Sequence, residues 1–166
     1  NFIQGTSLRG DTLIQKSVDS GQRTVLKDVT GATMYEWDDK NTTRHGQYDE
    51  LHRPTAMFET NPDVEQGNTI AIERYEYGTA QHTDKNLNGQ LVKHYDQAGL
   101  HKLESVALTG QPLQESRQFL LKSQGEANWQ GVESDWDELL EATAYTTTRS
   151  YDAIGRLITQ TDAKNN

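Results

Sequence analysis

Tyr151-Asp152-Ala153-Ile154-Gly155-Arg156-Leu157 is the fullest copy of a phrase that the chain repeats. Asp28-Val29-Thr30-Gly31, Tyr48-Asp49-Glu50-Leu51-His52-Arg53 and Tyr95-Asp96-Gln97-Ala98-Gly99-Leu100 are its variants: a Tyr-Asp turn, then Gly-Arg-Leu and a strand. A recurring phrase describes a building unit. Asp28 and Asp49 are 21 residues apart, and another 21 back falls on the degenerate copy Ser7-Leu8-Arg9-Gly10. Half-period echoes stand at Trp37-Asp38, Asn86-Leu87-Asn88-Gly89 and Thr161-Asp162-Ala163-Lys164-Asn165. A turn about every ten residues predicts short strands joined by hairpins.

The chemistry of the phrase agrees. An Asp side chain can accept a hydrogen bond from the amide two residues on, and a Gly three residues after it supplies the positive φ of such turns. Gly31, Gly99 and Gly155 hold that position. His52 replaces the Gly in one copy, and with Pro54 restricting the backbone behind it this copy is expected to turn differently. Between turns, Thr33, Tyr35 and Trp37 share one strand face, and Leu91, Lys93 and Tyr95 share another. Ile70 and Ile72 shift phase against Tyr75 and Tyr77, which predicts a bulge.

The composition sets the class. The 166 residues suit one domain, but a hydrophobic content of 33% is low for a thick core and favours a thin curved sheet layer. Nineteen threonines and ten tyrosines or tryptophans favour strand over helix. The net charge of −9, with sixteen scattered basic residues, excludes a nucleic-acid binder that works by neutralising phosphates. Without cysteine there are no disulfides and no thiolate-held zinc. No run of about 18 apolar residues is present to span a membrane, and no signal peptide is visible. Neither end reads as a cap, so a fragment of a longer repeat chain is expected.

The strand rhythm stops between Leu108 and Thr143. Thr109-Gly110-Gln111-Pro112 reads as a helix entry, followed by Leu113, Ser116, Arg117, Leu120 and Leu121 at helical spacing. A second short helix is expected to start at Ser134, with Trp136, Leu139 and Leu140 on one face and a loop around Trp129 before it. The expected domain organisation is a single repeat segment over 1–166 with a helical insertion over 109–142.

Through Tyr48-Asp49, Tyr95-Asp96 and 151–157 the sequence resembles the RHS or YD-repeat proteins of bacteria. The stretches 16–21, 26–28, His94-Tyr95-Asp96-Gln97-Ala98-Gly99, Leu108-Thr109-Gly110, Ser116-Arg117-Gln118 and Gly125-Glu126-Ala127-Asn128-Trp129 resemble the N-terminal part of the C component of insecticidal Tc toxin complexes. The resemblance implies a mainly β fold: an antiparallel RHS-repeat hairpin array, part of a curved β-shell, with a short α-helical insertion near 110–142. It also implies a non-catalytic wall segment of a secreted or cell-surface-associated toxin complex. Its partners would be neighbouring RHS repeats, a Tc B-type component and an enclosed C-terminal toxin segment. The self-cleaving core and variable toxin of that family have no counterpart in 1–166. The alternative reading is a cell-surface YD-repeat module that binds carbohydrate or protein.

Other constellations have a plainer explanation. Asp84-Lys85-Asn86-Leu87-Asn88-Gly89 matches half of a calcium loop, but Tyr95 stands where a bidentate Glu is needed, so an ordinary hairpin turn is expected. His45, His52, His82, His94 and His101 form no close helical pair, although a hairpin could bring His94 and His101 together. Glu133, Asp135, Asp137, Glu138 and Glu141 suit a helix start better than a glycosidase pair. No catalytic, cofactor or metal residue is expected. The residues expected to matter are those of the structural turns: Asp28, Gly31, Tyr48, Asp49, Tyr95, Asp96, Gly99, Tyr151, Asp152, Gly155 and Arg156.

Overall fold

The structure, a computed structural model, describes residues 3–63 and 68–166. The chain divides into two compact units, Asn1–Ile72 and Glu73–Asn166. Twelve strands are present among the described residues, and each recorded pairing joins chain neighbours in antiparallel fashion. This is the mainly β hairpin array that the turn spacing predicts.

The first unit holds β1 (Ile3–Thr6), β2 (Thr12–Ser17), β3 (Gly21–Lys27), β4 (Thr33–Asp38), β5 (Thr43–Tyr48) and β6 (Pro54–Thr60), plus the start of β7 (Thr69–Tyr77). Strand alternation sorts its side chains. Leu26, Tyr35, His45 and Phe58 are successive cross-strand partners over β3 to β6. Their rings form a ladder, with centroids 5.6 Å apart for Tyr35–His45 and 4.8 Å for His45–Phe58, and Trp37 stacks on Tyr35 at 5.6 Å. The other face is ionic: Arg23–Glu36 at 3.0 Å and Arg44–Glu59 at 2.7 Å. Cross-strand pairs of both kinds are the usual unit of sheet stabilisation. Among the described residues of this unit only Ala56, Phe58 and Ala71 are buried hydrophobics, in keeping with the low apolar content.

The second unit holds the end of β7, then β8 (Leu91–Asp96), β9 (Gly99–Val106), β10 (Pro112–Leu120), α1 (Glu133–Asp137), β11 (Leu140–Tyr151) and β12 (Leu157–Thr161), with a 3-10 helix at Ala80–Lys85. On the β8 side, the irregularity of β7 falls between Glu76 and Tyr77. The core of this unit collects Leu87, Tyr95, Leu100, Val106, Ala127, Trp129, Trp136 and Leu140.

The first expected helix is absent: Pro112–Leu120 is strand β10. It lies between β9 and β11 and pairs with both, so ladder bonds on two sides override the helical spacing of Leu113, Leu120 and Leu121. Pro112 opens the strand, a position that needs no ladder donor. The stretch between β10 and β11 is closed at its base by the Leu121 amide donating to the Leu139 carbonyl at 2.8 Å. The second expected helix is present, beginning one residue earlier than Ser134, at Glu133. Its Trp136 is buried as the pattern requires, while Leu140 is the first residue of β11.

Candidate functional site: the repeated turn

In every phrase but Tyr95-Asp96, the Asp organises a five-residue turn. Asp28 Oδ1 accepts from the amides of Thr30 (2.8 Å) and Ala32 (3.0 Å), and Asp49 Oδ1 from those of Leu51 and Arg53 (both 2.9 Å). Asp152 Oδ1 accepts from Ile154 (3.0 Å) and Arg156 (2.9 Å). The echoes at Asp38 and Asp162 accept in the same way from Lys40 and Thr42, and from Lys164 and Asn166. Ser7 Oγ substitutes for the carboxylate in the degenerate copy, accepting from Arg9 and Asp11 at 3.2 Å each.

Two backbone bonds complete every copy. The first residue donates to the carbonyl four residues on, as in Asp28 to Ala32 at 2.9 Å, and accepts from the amide three residues on, as in Gly31 to Asp28 at 3.1 Å. The fourth residue then has positive φ: 88° at Gly10, 93° at Gly31, 61° at Asn41, 58° at His52, 81° at Gly155 and 62° at Asn165. His52 thus corrects an expectation. Its copy makes the same turn as the others, because the Asp49 carboxylate and the two backbone bonds outweigh the strain of a side chain in the left-handed region. A further copy, without an Asp in the sequence, stands at 107–111. Ala107 donates to Gln111 (2.8 Å), Gly110 donates to Ala107 (2.9 Å), and Gly110 has φ 92°, all without an Asp to mark the turn.

The carboxylates feel these donors. The Thr30 hydroxyl and backbone amides hold Asp28 below the usual carboxylate range, and the Arg53 amide with its guanidinium does the same for Asp49. At Asp152 the Arg156 amide and side chain lower the carboxyl together, the Arg156 Nε donating to Oδ2 at 2.6 Å.

The Tyr of the phrase ties one turn to the previous turn on the same edge. Tyr48 Oη donates to the carbonyl of Thr33, the residue after the Asp28 turn, at 2.7 Å, and Tyr151 Oη donates to that of Pro112, the residue after the Ala107 turn, at 3.2 Å. Sequence spacing gives no hint of these bonds, because they cross between strands.

Tyr95-Asp96 is a different construction. Asp96 pairs with Gly99 across a two-residue turn, and its Oδ1 accepts one backbone amide rather than two, that of Ala98 at 2.8 Å. Gly99 is required by close approach: a Cβ there would lie 2.2 Å from the Gln118 carbonyl oxygen of β10. Burial would raise the Asp96 carboxyl, but the Arg117 fork (2.9 and 2.5 Å) and the Ala98 amide outweigh it and hold the group low. Tyr95 is fully buried between Trp129 (centroids 5.2 Å) and Trp136 (5.0 Å), and its hydroxyl donates to Glu133 at 3.2 Å. Burial first, then the Glu133 charge, pushes the phenol well above its ordinary range. Trp129 Nε1 donates to the Asp96 carbonyl (3.2 Å), and Gln97 exchanges two hydrogen bonds with the Ala127 backbone. This phrase is the seat of the stretch between β10 and β11.

The remaining candidates are scattered. His94 and His101 are cross-strand partners, each turned to its own carboxylate, Glu73 at 3.1 Å and Glu115 at 3.5 Å. Glu133 is held low by Lys93, with which it pairs. Asp84 lies in the 3-10 helix and Asn86 ends it in left-handed conformation. Among the described residues no three His, Asp or Glu side chains converge to hold a metal ion.

A Tyr-Asp turn built from the same bonds and closing successive antiparallel hairpins defines an RHS-repeat strand array. No protein-family model matches the sequence. The chain is homologous to the C-type subunits of Tc toxins: it is 36% identical to toxin subunit YenC2 and 34% identical to YenC1 of Yersinia entomophaga, in each case over its whole length. It spans 19% and 17% of those subunits. The crystal structure of TcdB2-TccC3 matches 99% of the chain at 36% identity with a TM-score of 0.93, and the chain covers 8% of that polypeptide. The Photorhabdus luminescens Tc holotoxin pore matches over the same shares with a TM-score of 0.92. The homology supports a structural role within a toxin complex.

Proposed function

We propose that this segment is non-catalytic wall: one stretch of an RHS-repeat shell that encloses a C-terminal toxin segment until delivery. The observation that carries the reading is the turn itself. Its Asp, Tyr and Arg are consumed by backbone hydrogen bonds and local ion pairs, so these side chains serve the fold. Each hairpin adds two strands to an open array, and such arrays grow by repetition. On this reading 1–166 is a single repeat segment and the stretch between β10 and β11 an insertion seated on it. Its partners are the neighbouring repeats and a Tc B-type component, and its location is that of a secreted or cell-surface toxin complex.

Limited proteolysis of the intact C-type subunit, expressed with a B-type component, tests enclosure. The C-terminal segment should resist digestion until denaturant opens the array. Digestion in native buffer at the rate of the free C-terminal segment would refute the proposal. The stacked Tyr35 and Trp37 rings, 40% and 37% exposed, are the feature that favours a surface binding module instead. Saturable glycan binding by the intact subunit, abolished by Trp37→Ala, would favour that reading.

A further inference from the structure

The turn at 38–42 leaves polar side chains unspent. Asp38 caps the Lys40 and Thr42 amides as the repeat requires. Asp39 and Asn41 beside it, and Lys16 and Gln22 on the hairpin of β2 and β3, make no side-chain hydrogen bond or ion pair among the described residues. Lys16 pairs with Gln22 across that hairpin, and Thr24, two residues on, pairs with Trp37 of β4. Strand alternation therefore puts Lys16, Gln22, Thr24 and Trp37 on one face. Together with Asp39 and Asn41 they line one open depression of about 370 Å³.

The aromatic wall of this depression is fixed in place. Phe58, His45, Tyr35 and Trp37 form one stack of four rings, with interplanar angles of 10°, 27° and 10° along it. Trp37 is its last member: Tyr35 takes one side of the indole, and the ring stays 37% exposed where it lines the depression. The polar wall is placed as well. Gly21, at φ 70°, makes room for the Asp39 carboxylate, because a Cβ there would lie 1.9 Å from its Oδ2. An aromatic ring is thus set among a carboxylate, an ammonium and two amides whose hydrogen-bonding capacity the fold does not use.

We propose that this depression is a binding subsite for one neutral pyranose ring of a glycan, stacked on Trp37 and hydrogen-bonded by Asp39, Asn41, Gln22 and Lys16. The C–H bonds on one face of a pyranose carry partial positive charge and suit the negative face of an indole. Its ring of hydroxyls needs acceptors and donors side by side: the carboxylate accepts, the ammonium donates and the two amides do both. Charge selects against the other flat ligands. A planar cation on Trp37 would meet Lys16, and an anion would meet Asp39 and Asp38. The volume lies within the roughly 300–1,000 Å³ of small-ligand sites. This inference deepens the binding-module reading by naming its ligand class and its residues, and it is compatible with a wall segment that carries the site on its surface.

Saturation-transfer NMR on the intact subunit, assembled with its B-type component, tests the subsite. Maltotriose, cellotriose and triacetylchitotriose serve as neutral probes, choline as a cationic one and sialyllactose as an anionic one. At least one neutral probe should receive saturation and titrate to a plateau, and Trp37→Ala should abolish its signal. Asp39→Asn should weaken its binding about tenfold, the worth of one charge-assisted hydrogen bond. Glu50→Gln, in the turn after β5, should change nothing. Asp39 is exposed, so Asp39→Asn leaves the fold intact and keeps the test decisive even if Trp37→Ala is unstable. No saturation of any neutral probe, tighter binding of choline or sialyllactose, or neutral-probe binding indifferent to Asp39→Asn overturns the proposal. In the last case, continued dependence on Trp37 would preserve the binding-module reading while removing this subsite. Enclosure fails separately, through protease sensitivity of the C-terminal segment, whatever the probes do.

Discussion

Gly31→Ala isolates the conformational demand of the turn from every other contribution. A Cβ at Gly31 would meet no heavy atom within 4 Å, so the substitution introduces no clash. What it introduces is an L-residue at φ 93°, beyond the centre of the left-handed region. Such a conformation costs about 1–2 kcal/mol. Reduced freedom of the unfolded chain returns about 0.4–1 kcal/mol when Gly becomes Ala. The net expectation is a loss of about 1 kcal/mol, a Tm lower by about 2–4 °C for a chain of this size. Gly31→Asn should lose less than half as much, because Asn already holds the equivalent position at 41 and 165. Urea unfolding followed by the fluorescence of Trp37, the one tryptophan of the first unit, measures the difference at constant m-value. An Ala variant as stable as the parent, or an Asn variant as damaged as the Ala one, would refute the argument. Gly78→Ala serves as the contrast: its Cβ would lie 1.9 Å from the Leu87 carbonyl oxygen, so the backbone must move and the loss should exceed that at Gly31.

The second unit yields three further expectations. Trp129→Ala removes a fully buried ring with its bond to the Asp96 carbonyl and should cost about 3–5 kcal/mol, with hydrogen exchange rising first between β10 and β11. Trp37→Ala, partly exposed, should cost less than about 2 kcal/mol in the same denaturation assay. Arg117→Met leaves the part-buried Asp96 without its fork and should cost about 1–3 kcal/mol, with the Asp96 carboxyl titrating at higher pH by NMR. The pH dependence has two arms. Carboxyls lowered by folding, Asp96 and the turn aspartates among them, contribute stability that is present above their unfolded pKa of about 3.9 and lost as pH falls through the folded values. The raised Tyr95 phenol contributes stability that is complete below about pH 10 and lost as pH rises beyond it, so Tyr95→Phe should flatten the alkaline arm in thermal melts.

Most of the strand array is legible in the sequence because the turn has an obligatory chemistry. An Asp that caps two amides and a Gly in positive φ can be recognised by residue type alone, and the 21-residue spacing then gives the hairpins. Legibility fails where another group meets the same demand. Ala107 carries no carboxylate, yet the backbone bonds and Gly110 make the turn, so a strand beginning at Pro112 reads as a helix. At His52 the geometry survives the loss of Gly because four other bonds define it, two to the Asp49 carboxylate and two along the backbone. The tyrosine bonds are invisible for a different reason: Tyr48 to Thr33 and Tyr151 to Pro112 join residues brought together only by strand pairing.

The Tyr-Asp phrase therefore has two uses in one chain, and the register of the following strand decides between them. Where the turn has five residues, the Tyr hydroxyl reaches the carbonyl after the preceding turn on its edge and stitches two hairpins together. Where Asp96 pairs with Gly99 over two residues, the Tyr95 hydroxyl instead donates to Glu133 beneath two tryptophans. Gly99 admits this only because β10 passes too close for any side chain. The departure from the repeat and the seat of the β10–β11 stretch are one feature: removing the regular turn frees Tyr95 and the Asp96 carbonyl for Trp129 and α1. A chain that restored a five-residue turn after Tyr95 would gain a regular turn and lose the seat of the β10–β11 stretch. Inserting one such turn between Asp96 and Gly99 should accordingly leave the strand content by circular dichroism unchanged while exposing Trp129 to acrylamide quenching; a Trp129 that stayed protected would show that the stretch holds its place without the phrase.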